Sequence, residues 1–300
     1  MSVDFCGLEL AHPVINGSGT FDALAALGAF GEVLRSEFPF AAYVSKTITL
    51  EPRPGNPPPR LWETPAGLIN SIGLPNKGVA GYLAEDLPAL AILLAELGSV
   101  PLITNVMGST AAEIAELVEA CEARPEIAVV ELNVSCPNVK TGLDIGADPG
   151  QLEEVVRAVR PLTGKPLIVK LTPNAADVAA CALAAEAGGA DAVSLINTLR
   201  ALALTPMSRG GPSALPEGPW LGGGTGGLSG PAIRAVALAQ VASVAERVSI
   251  PVIGMGGVSN AAHARDLLGV GATLVAVGTE SFRDPMAGAR IARELAAIVG

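Results

Sequence analysis

The chain is poor in aromatic side chains, basic charge and cysteine, and each shortage excludes something. Phe, Trp and Tyr make up only 3% of the 300 residues, so Ala, Val, Leu and Ile must fill the interior, as suits helices packed on parallel strands. Lys and Arg number 19 against 29 Asp and Glu, a formal net charge of -10. A nucleic-acid clamp needs a basic face, so nucleic acid is not an expected partner. The four cysteines, Cys6, Cys121, Cys136 and Cys181, are scattered and form no CxxC pair. That spacing argues against a disulfide framework, structural zinc and a self-held iron-sulfur cluster, so no metal site is expected. No basic residue precedes Arg35, so the charged start of a secretory or transit peptide is missing. The longest uncharged apolar runs, around Leu267 to Thr279, fall short of the about 20 residues that span a bilayer. A cytoplasmic protein with no membrane partner is expected.

Half of the residues are hydrophobic, too many for a disordered chain. Short Val- and Ile-rich runs alternate with Ala-rich stretches of helical spacing, the pattern of βα units around a parallel sheet. Eight strands are predicted, at 13–16, 41–45, 101–106, 127–134, 166–171, 191–196, 251–255 and 273–278. Helices are predicted at 76–97, 111–124, 150–162, 176–188, 230–247, 260–269 and 284–299, several opened by Pro, Asp, Asn or Ser. Eight strands close a barrel. The expected fold is α/β, a single (β/α)8 TIM barrel domain over residues 1–300, with long insertions after strands 2 and 6. Those insertions, 47–75 and 199–229, are Pro- or Gly-rich, and by length alone are either lids or tolerated surface loops.

In such a barrel the active site lies at the C-terminal ends of the strands. Here every strand ends in a polar residue or a glycine pair: Asn16 with Ser18, Ser45 with Lys46, Asn105, Asn133 with Ser135 and Cys136, Lys170, Asn197 with Thr198, Gly256 with Gly257, and Gly278 with Thr279. Any one of these is readily a helix cap; all eight ends together point to a site. GMGGVSN (254–260) and GTESFRDP (278–285) put flexible backbone at helix starts, a phosphate cradle after strands seven and eight. GTGGLSG (224–230) is placed to reach the same group. Lys46 and Lys170, at the ends of strands two and five, call for an anionic ligand or reduced cofactor, with a Schiff-base lysine as the rival. Asn70, Asn76, Asn133 and Asn197 bring amides that donate and accept at once, suited to a planar ring with alternating carbonyl and NH edges. Cys136 alone reads as a small buried hydrophobe, but beside Asn133, Ser135, Lys46 and Lys170 it becomes a nucleophile or proton acceptor. His12 and His263 read as structural.

SGTF (18–21), SKT (45–47), NSIGLPN (70–76), ELNVSCPNVK (131–140), VKLTPN (169–174), INTL (196–199), GTGGLSGPAIR (224–234), GMGGVSN and VGT (277–279) run almost the length of the chain. In these the sequence resembles the class 1 dihydroorotate dehydrogenases, most closely the class 1B catalytic subunits. The resemblance implies an FMN-binding barrel, one FMN per chain, that oxidises (S)-dihydroorotate to orotate in de novo pyrimidine biosynthesis. It implies that Cys136 is the base that removes the C5 proton while hydride passes from C6 to flavin N5. Lys46, Asn70, Ser71, Ile72, Gly73, Leu74, Asn133, Asn197 and Thr198 match substrate positions. Ser18, Gly19, Ser45, Lys46, Asn105, Asn133, Lys170, Ile196, Gly230, Gly256, Gly257, Gly278 and Thr279 match cofactor positions. It further implies a homodimer and electron transfer to NAD through a partner subunit that carries FAD and a 2Fe-2S cluster. The 199–223 segment departs from the family pattern. Two other readings stay open: a phosphate-binding barrel lyase or isomerase using Lys170, and a non-catalytic flavin-binding subunit.

Overall fold

A computed structural model describes residues 2–134, 145–205 and 218–299. A hairpin of β1 (Val3–Phe5) and β2 (Leu8–Leu10) leads into β3 (Val14–Asn16), the first of eight parallel strands. The others are β4 (Tyr43–Val44), β7 (Leu102–Val106), β8 (Val129–Asn133), β9 (Leu167–Lys170), β10 (Ala192–Leu195), β13 (Val252–Met255) and β14 (Leu274–Val277). Their order is β3-β14-β13-β10-β9-β8-β7-β4, and each lies within a predicted strand. The runs were readable because strands buried on both faces carry unbroken apolar sequence.

The remaining seam, between β4 and β3, has no strand ladder and is closed differently. Ala41 N–H donates to Val14 O at 3.0 Å. Asn16 then stands in for a peptide group, its Nδ2 donating to Val44 O at 2.7 Å and its Oδ1 accepting from Val44 N–H at 2.8 Å. Asn16 is fully buried, so the first strand-end polar residue is part of the barrel wall. With that bridge the sheet is a barrel with helices between its strands, the fold expected.

Ile15, Val44, Ile103, Val129, Ile168, Ala192, Ile253 and Leu274 fill the barrel, and Phe5 and Leu10 of the hairpin join them to plug the end opposite the strand C-termini. A second, larger core lies between strands and helices. Those helices are α5 (Ala111–Glu122), α6 (Pro149–Val159), α7 (Val178–Ala187), α8 (Arg234–Ala245), α9 (Ala261–Gly269) and α10 (Ala287–Val299). Thr110, Asp148, Asp177 and Asn260 cap α5, α6, α7 and α9 through their side chains, satisfying amides that a helix start leaves unpaired. The predicted 76–97 helix is α3 (Gly78–Gly81), a π-turn over Tyr82–Asp86, and α4 (Leu87–Glu96). This 19-residue run is long and apolar enough to cross a bilayer, beyond what the apolar runs of the sequence suggested. Leu87, Leu90, Leu93 and Leu94 are buried in the helix–strand core, and the π-turn carries Glu85 and Asp86, both paired with Lys77.

Besides the N-terminal hairpin, two features were not anticipated. The first crossover contains α1 (Ala23–Phe30), capped by Asp22, and α2 (Glu32–Ser36). The two insertions also fold onto each other: β5 (Leu61–Thr64) and β6 (Gly67–Asn70) from the first pair with β11 (Leu199–Ala201) and β12 (Gly226–Ser229) from the second, in the order β11-β12-β6-β5. Ile69, Ala203 and Leu221 make a small core under this sheet, and Trp62 meets Trp220 edge to face at 5.7 Å.

Candidate active site

The C-terminal ends of the barrel strands and the insertion sheet enclose a cavity of about 400 Å³, within the range that holds a cofactor. From the first half of the barrel it is lined by Ser18, Gly19, Lys46, Asn70, Ile72, Gly73, Leu74 and Asn133. From the second half come Lys170, Ile196, Asn197, Thr198, Gly230, Gly256, Gly257, Gly278 and Thr279. Residues drawn from positions 18 to 279 therefore face one space.

Besides Asn16 in the barrel wall, four of the singled-out residues do not line it, Ser45, Asn105, Ser71 and Asn76. Ser45 is buried behind the wall, its Oγ donating to Lys46 O and accepting from Asn105 N–H, both at 3.1 Å, which knots the end of β4 to β7. Asn105 is fully buried and gives its Nδ2 to Glu131 Oε2 at 2.5 Å. Ser71 ties the insertions together, donating to Thr225 O at 2.8 Å and accepting from Asn56 Nδ2 at 3.1 Å. Asn76 is likewise a loop clamp, with Nδ2 on Thr49 Oγ1 and Leu74 O at 2.9 Å and Oδ1 accepting from Gly78 N–H at 2.8 Å. Cys136 and Ser135 lie outside the described residues.

The cavity has two chemical ends. At the floor, β8 and β9 pair Asn133 with Lys170, and Asn133 Nδ2 donates to Thr47 Oγ1 at 3.2 Å. Lys170 is only 5% exposed and makes no hydrogen bond or ion pair among the described residues, although it faces the cavity. A buried ammonium in that state calls for an anion or a strong acceptor. Lys46 is more open; partial burial pulls its pKa below the usual lysine value, opposed by Asp22 and helped by Arg60.

At the other end, Gly256 and Gly257 have φ of +131° and +70°, conformations that suit glycine. A Cβ on Gly257 would lie 2.8 Å from Arg234 Cβ and 3.0 Å from Gly230 O, so two glycine loops meet there backbone to backbone. Such a concavity of main chain at helix starts suits a phosphate. Thr279 Oγ1 donates to Ser229 Oγ at 2.9 Å, joining the third loop.

Sequence reasoning did not name Thr47, Gly227, Ser229, Glu280 or Arg283 individually, although all lie in motifs it marked and all are on the cavity wall. Gly227 had a signal in GTGGLSG: a Cβ there would fall 1.9 Å from Thr198 Oγ1, so glycine alone lets β12 approach strand end six. Glu131 was also missed, although it stands two residues before Asn133 on β8 and so shares its face.

A dihydroorotate dehydrogenase family profile matches residues 1–299. The chain is 44% identical to the dihydroorotate dehydrogenase B (NAD(+)) catalytic subunit of Pelobacter propionicus over 294 residues, 98% of this chain and 91% of that one. It is 43% identical to the protein of the same name from Geobacter sulfurreducens over 296 residues, 98% of this chain and 92% of that one. The barrel, the site at its mouth and these matches agree: the chain belongs to the dihydroorotate dehydrogenase family of enzymes.

Proposed function

We propose that the chain is the catalytic subunit of an NAD-linked dihydroorotate dehydrogenase, oxidising (S)-dihydroorotate to orotate with FMN held in the barrel mouth. The observation that carries this reading is Lys170, a buried ammonium without a counter-ion among the described residues, on the same cavity as the glycine cradle. The fit to FMN is good at both ends. The Gly230, Gly256 and Gly257 backbones suit its phosphate, and Lys170 suits the charge of a reduced ring. Ser18, Gly19, Ile196, Gly278 and Thr279 would contribute further contacts. Bound FMN supplies the acceptor for the C6 hydride.

The chain's own residues then have distinct tasks. Asn70, Asn133 and Asn197 offer amide donors and acceptors to the edges of a pyrimidine ring. Lys46, at the open side, balances the substrate carboxylate. Cys136, three residues beyond Asn133, takes the C5 proton as a thiolate, so turnover is expected to rise with pH until the thiol is ionised. Ser45 and Ser71 support neighbours that touch the ligands. The electrons leave for NAD through a partner subunit carrying FAD and a 2Fe-2S cluster, and the catalytic chain works as a cytoplasmic homodimer.

The test is the visible spectrum of the purified chain without oxygen, before and after dihydroorotate is added. A flavin band that bleaches supports cofactor, substrate and half-reaction together. The Cys136→Ala variant is expected to keep its flavin and lose most of the bleaching rate; full activity in that variant removes Cys136 from the mechanism. A chain that takes up no FMN, yet is trapped by borohydride on Lys170 with a phosphorylated carbonyl compound, overturns the reading in favour of a lyase or isomerase.

A further inference from the structure

Beneath the cavity floor the barrel holds a charge that the proposed chemistry does not use. Glu131 on β8 is 3% exposed. Its Oε2 accepts from Asn105 Nδ2 on β7 at 2.5 Å, and its Oε1 accepts from Ser194 Oγ on β10 at 2.7 Å. Both donors are neutral, and Glu131 makes no ion pair among the described residues. One step down the same strand begins the apolar filling, with Val129 beside Ile103 and Ile168. A carboxylate in such a place is costly unless its hydrogen bonds are well made.

What the carboxylate does to Asn105 follows from donor and acceptor counting. An ionised carboxylate only accepts, so the amide must turn its NH2 to Glu131 and its oxygen away. Ser194 holds the other carboxylate oxygen, which keeps the acceptor plane from turning. Asn105 Oδ1 is left buried and without a partner, whereas nearly all buried acceptors are satisfied. We propose that Glu131 is a positioning residue, whose carboxylate holds the Asn105 carboxamide with Oδ1 free to accept a hydrogen bond from the polar ring edge of the bound flavin. The proposal rests on the FMN reading above and adds to it a residue that does not touch the cofactor.

The experiment titrates FMN into the apoprotein, followed by quenching of flavin fluorescence, and measures the midpoint potential of the bound flavin. In Glu131→Gln the new amide both donates and accepts, so Asn105 is free to turn either way at unchanged side-chain volume. FMN should bind about tenfold more weakly, the loss of roughly one charge-assisted hydrogen bond. The potential should rise, because a negative charge has left the surroundings of an electron-accepting ring. The apoprotein should melt no lower than wild type. The double variant Glu131→Gln/Asn105→Asp reverses the polarity of the pair and again leaves an acceptor at position 105, so affinity should return to within about threefold of wild type. Ser194→Ala should cost about threefold in affinity, since it loosens only the second oxygen, and it carries the test if Glu131→Gln does not fold. Wild-type affinity and potential in Glu131→Gln, or a loss that tracks apoprotein melting and is not rescued, overturns the proposal. A wild-type chain that binds no FMN overturns the cofactor reading as well; one that binds FMN while Glu131→Gln is indifferent overturns this inference alone.

Discussion

The lower and upper halves of the barrel are built from the same strands and have opposite chemistry. On β7 the inward residue changes from Ile103 to Asn105, on β8 from Val129 to Glu131, on β9 from Ile168 to Lys170, and on β10 from Ala192 to Ser194. Each change takes a single two-residue step, the repeat of a strand face. Below the step, side chains pack on one another and on the Phe5 and Leu10 plug. Above it, buried polar groups are partnered by one another, apart from Lys170, which faces the cavity, and Asn105 Oδ1, which is buried without a partner. Stability is expected to come mainly from the lower half, and specificity from the upper.

The sharpest way to break that division is to open the lower half. Ile168→Ala empties a fully buried position and should cost about 2–5 kcal/mol of unfolding free energy, measured by urea denaturation, while FMN affinity of the folded protein stays within about twofold. A large loss of affinity would mean the two halves are coupled. Asn16→Ala should come next. It leaves the buried Val44 N–H and C=O without their side-chain partners, at about 1–3 kcal/mol for each unsatisfied group, again with little effect on ligand affinity. In the upper half the sign reverses. Lys170→Met removes a buried ammonium that has no ion pair among the described residues, so the apoprotein should be as stable as wild type or more so by about 1 kcal/mol. Dihydroorotate-driven flavin reduction should nevertheless be nearly abolished in stopped-flow traces. A clearly destabilised Lys170→Met apoprotein would show that this lysine supports the fold.

The same division explains what could be read from the sequence. The eight barrel strands were legible because Val- and Ile-rich runs follow Pro13, Pro101, Pro166 and Pro251 with little ambiguity. Helix α1 was missed: ALAALGAF contains Gly28 and runs into Gly31, which blurs the periodicity. The insertion sheet was missed for another reason. Its strands are three or four residues long and pair Gly227 with Asn70, a long-range contact that no local pattern announces, through residues of low β propensity. At the site, strand-end position marked the cavity-facing residues well, since backbone direction decides that. It could not separate residues that face the cavity from those just behind it, so Ser45 and Asn105 looked no different from Lys46 and Asn133. Glu131 fell in the gap, because a buried acid inside a barrel strand looks like a misfit until Asn105 and Ser194 are seen beside it.

The smallest effect concerns how the upper half responds to pH. Burial lowers the pKa of Lys46, with Asp22 opposing and Arg60 assisting, so the folded protein gives up this proton at a lower pH than the unfolded chain. In stability terms the charged form is disfavoured by folding, and that penalty is relieved as pH rises through the lowered value and is gone by the ordinary lysine range. For binding the sign is the opposite: an anionic ligand needs the charge, so orotate affinity should fall as pH rises through the same window. Lys46→Arg keeps its charge throughout, because a guanidinium does not titrate there. Orotate binding, followed by perturbation of the flavin spectrum from neutral to alkaline pH, should therefore weaken by up to about tenfold in the wild type and stay flatter in Lys46→Arg. Identical slopes in the two proteins would remove Lys46 from the charge balance of the mouth and leave Lys170 as the lysine that meets the ligand.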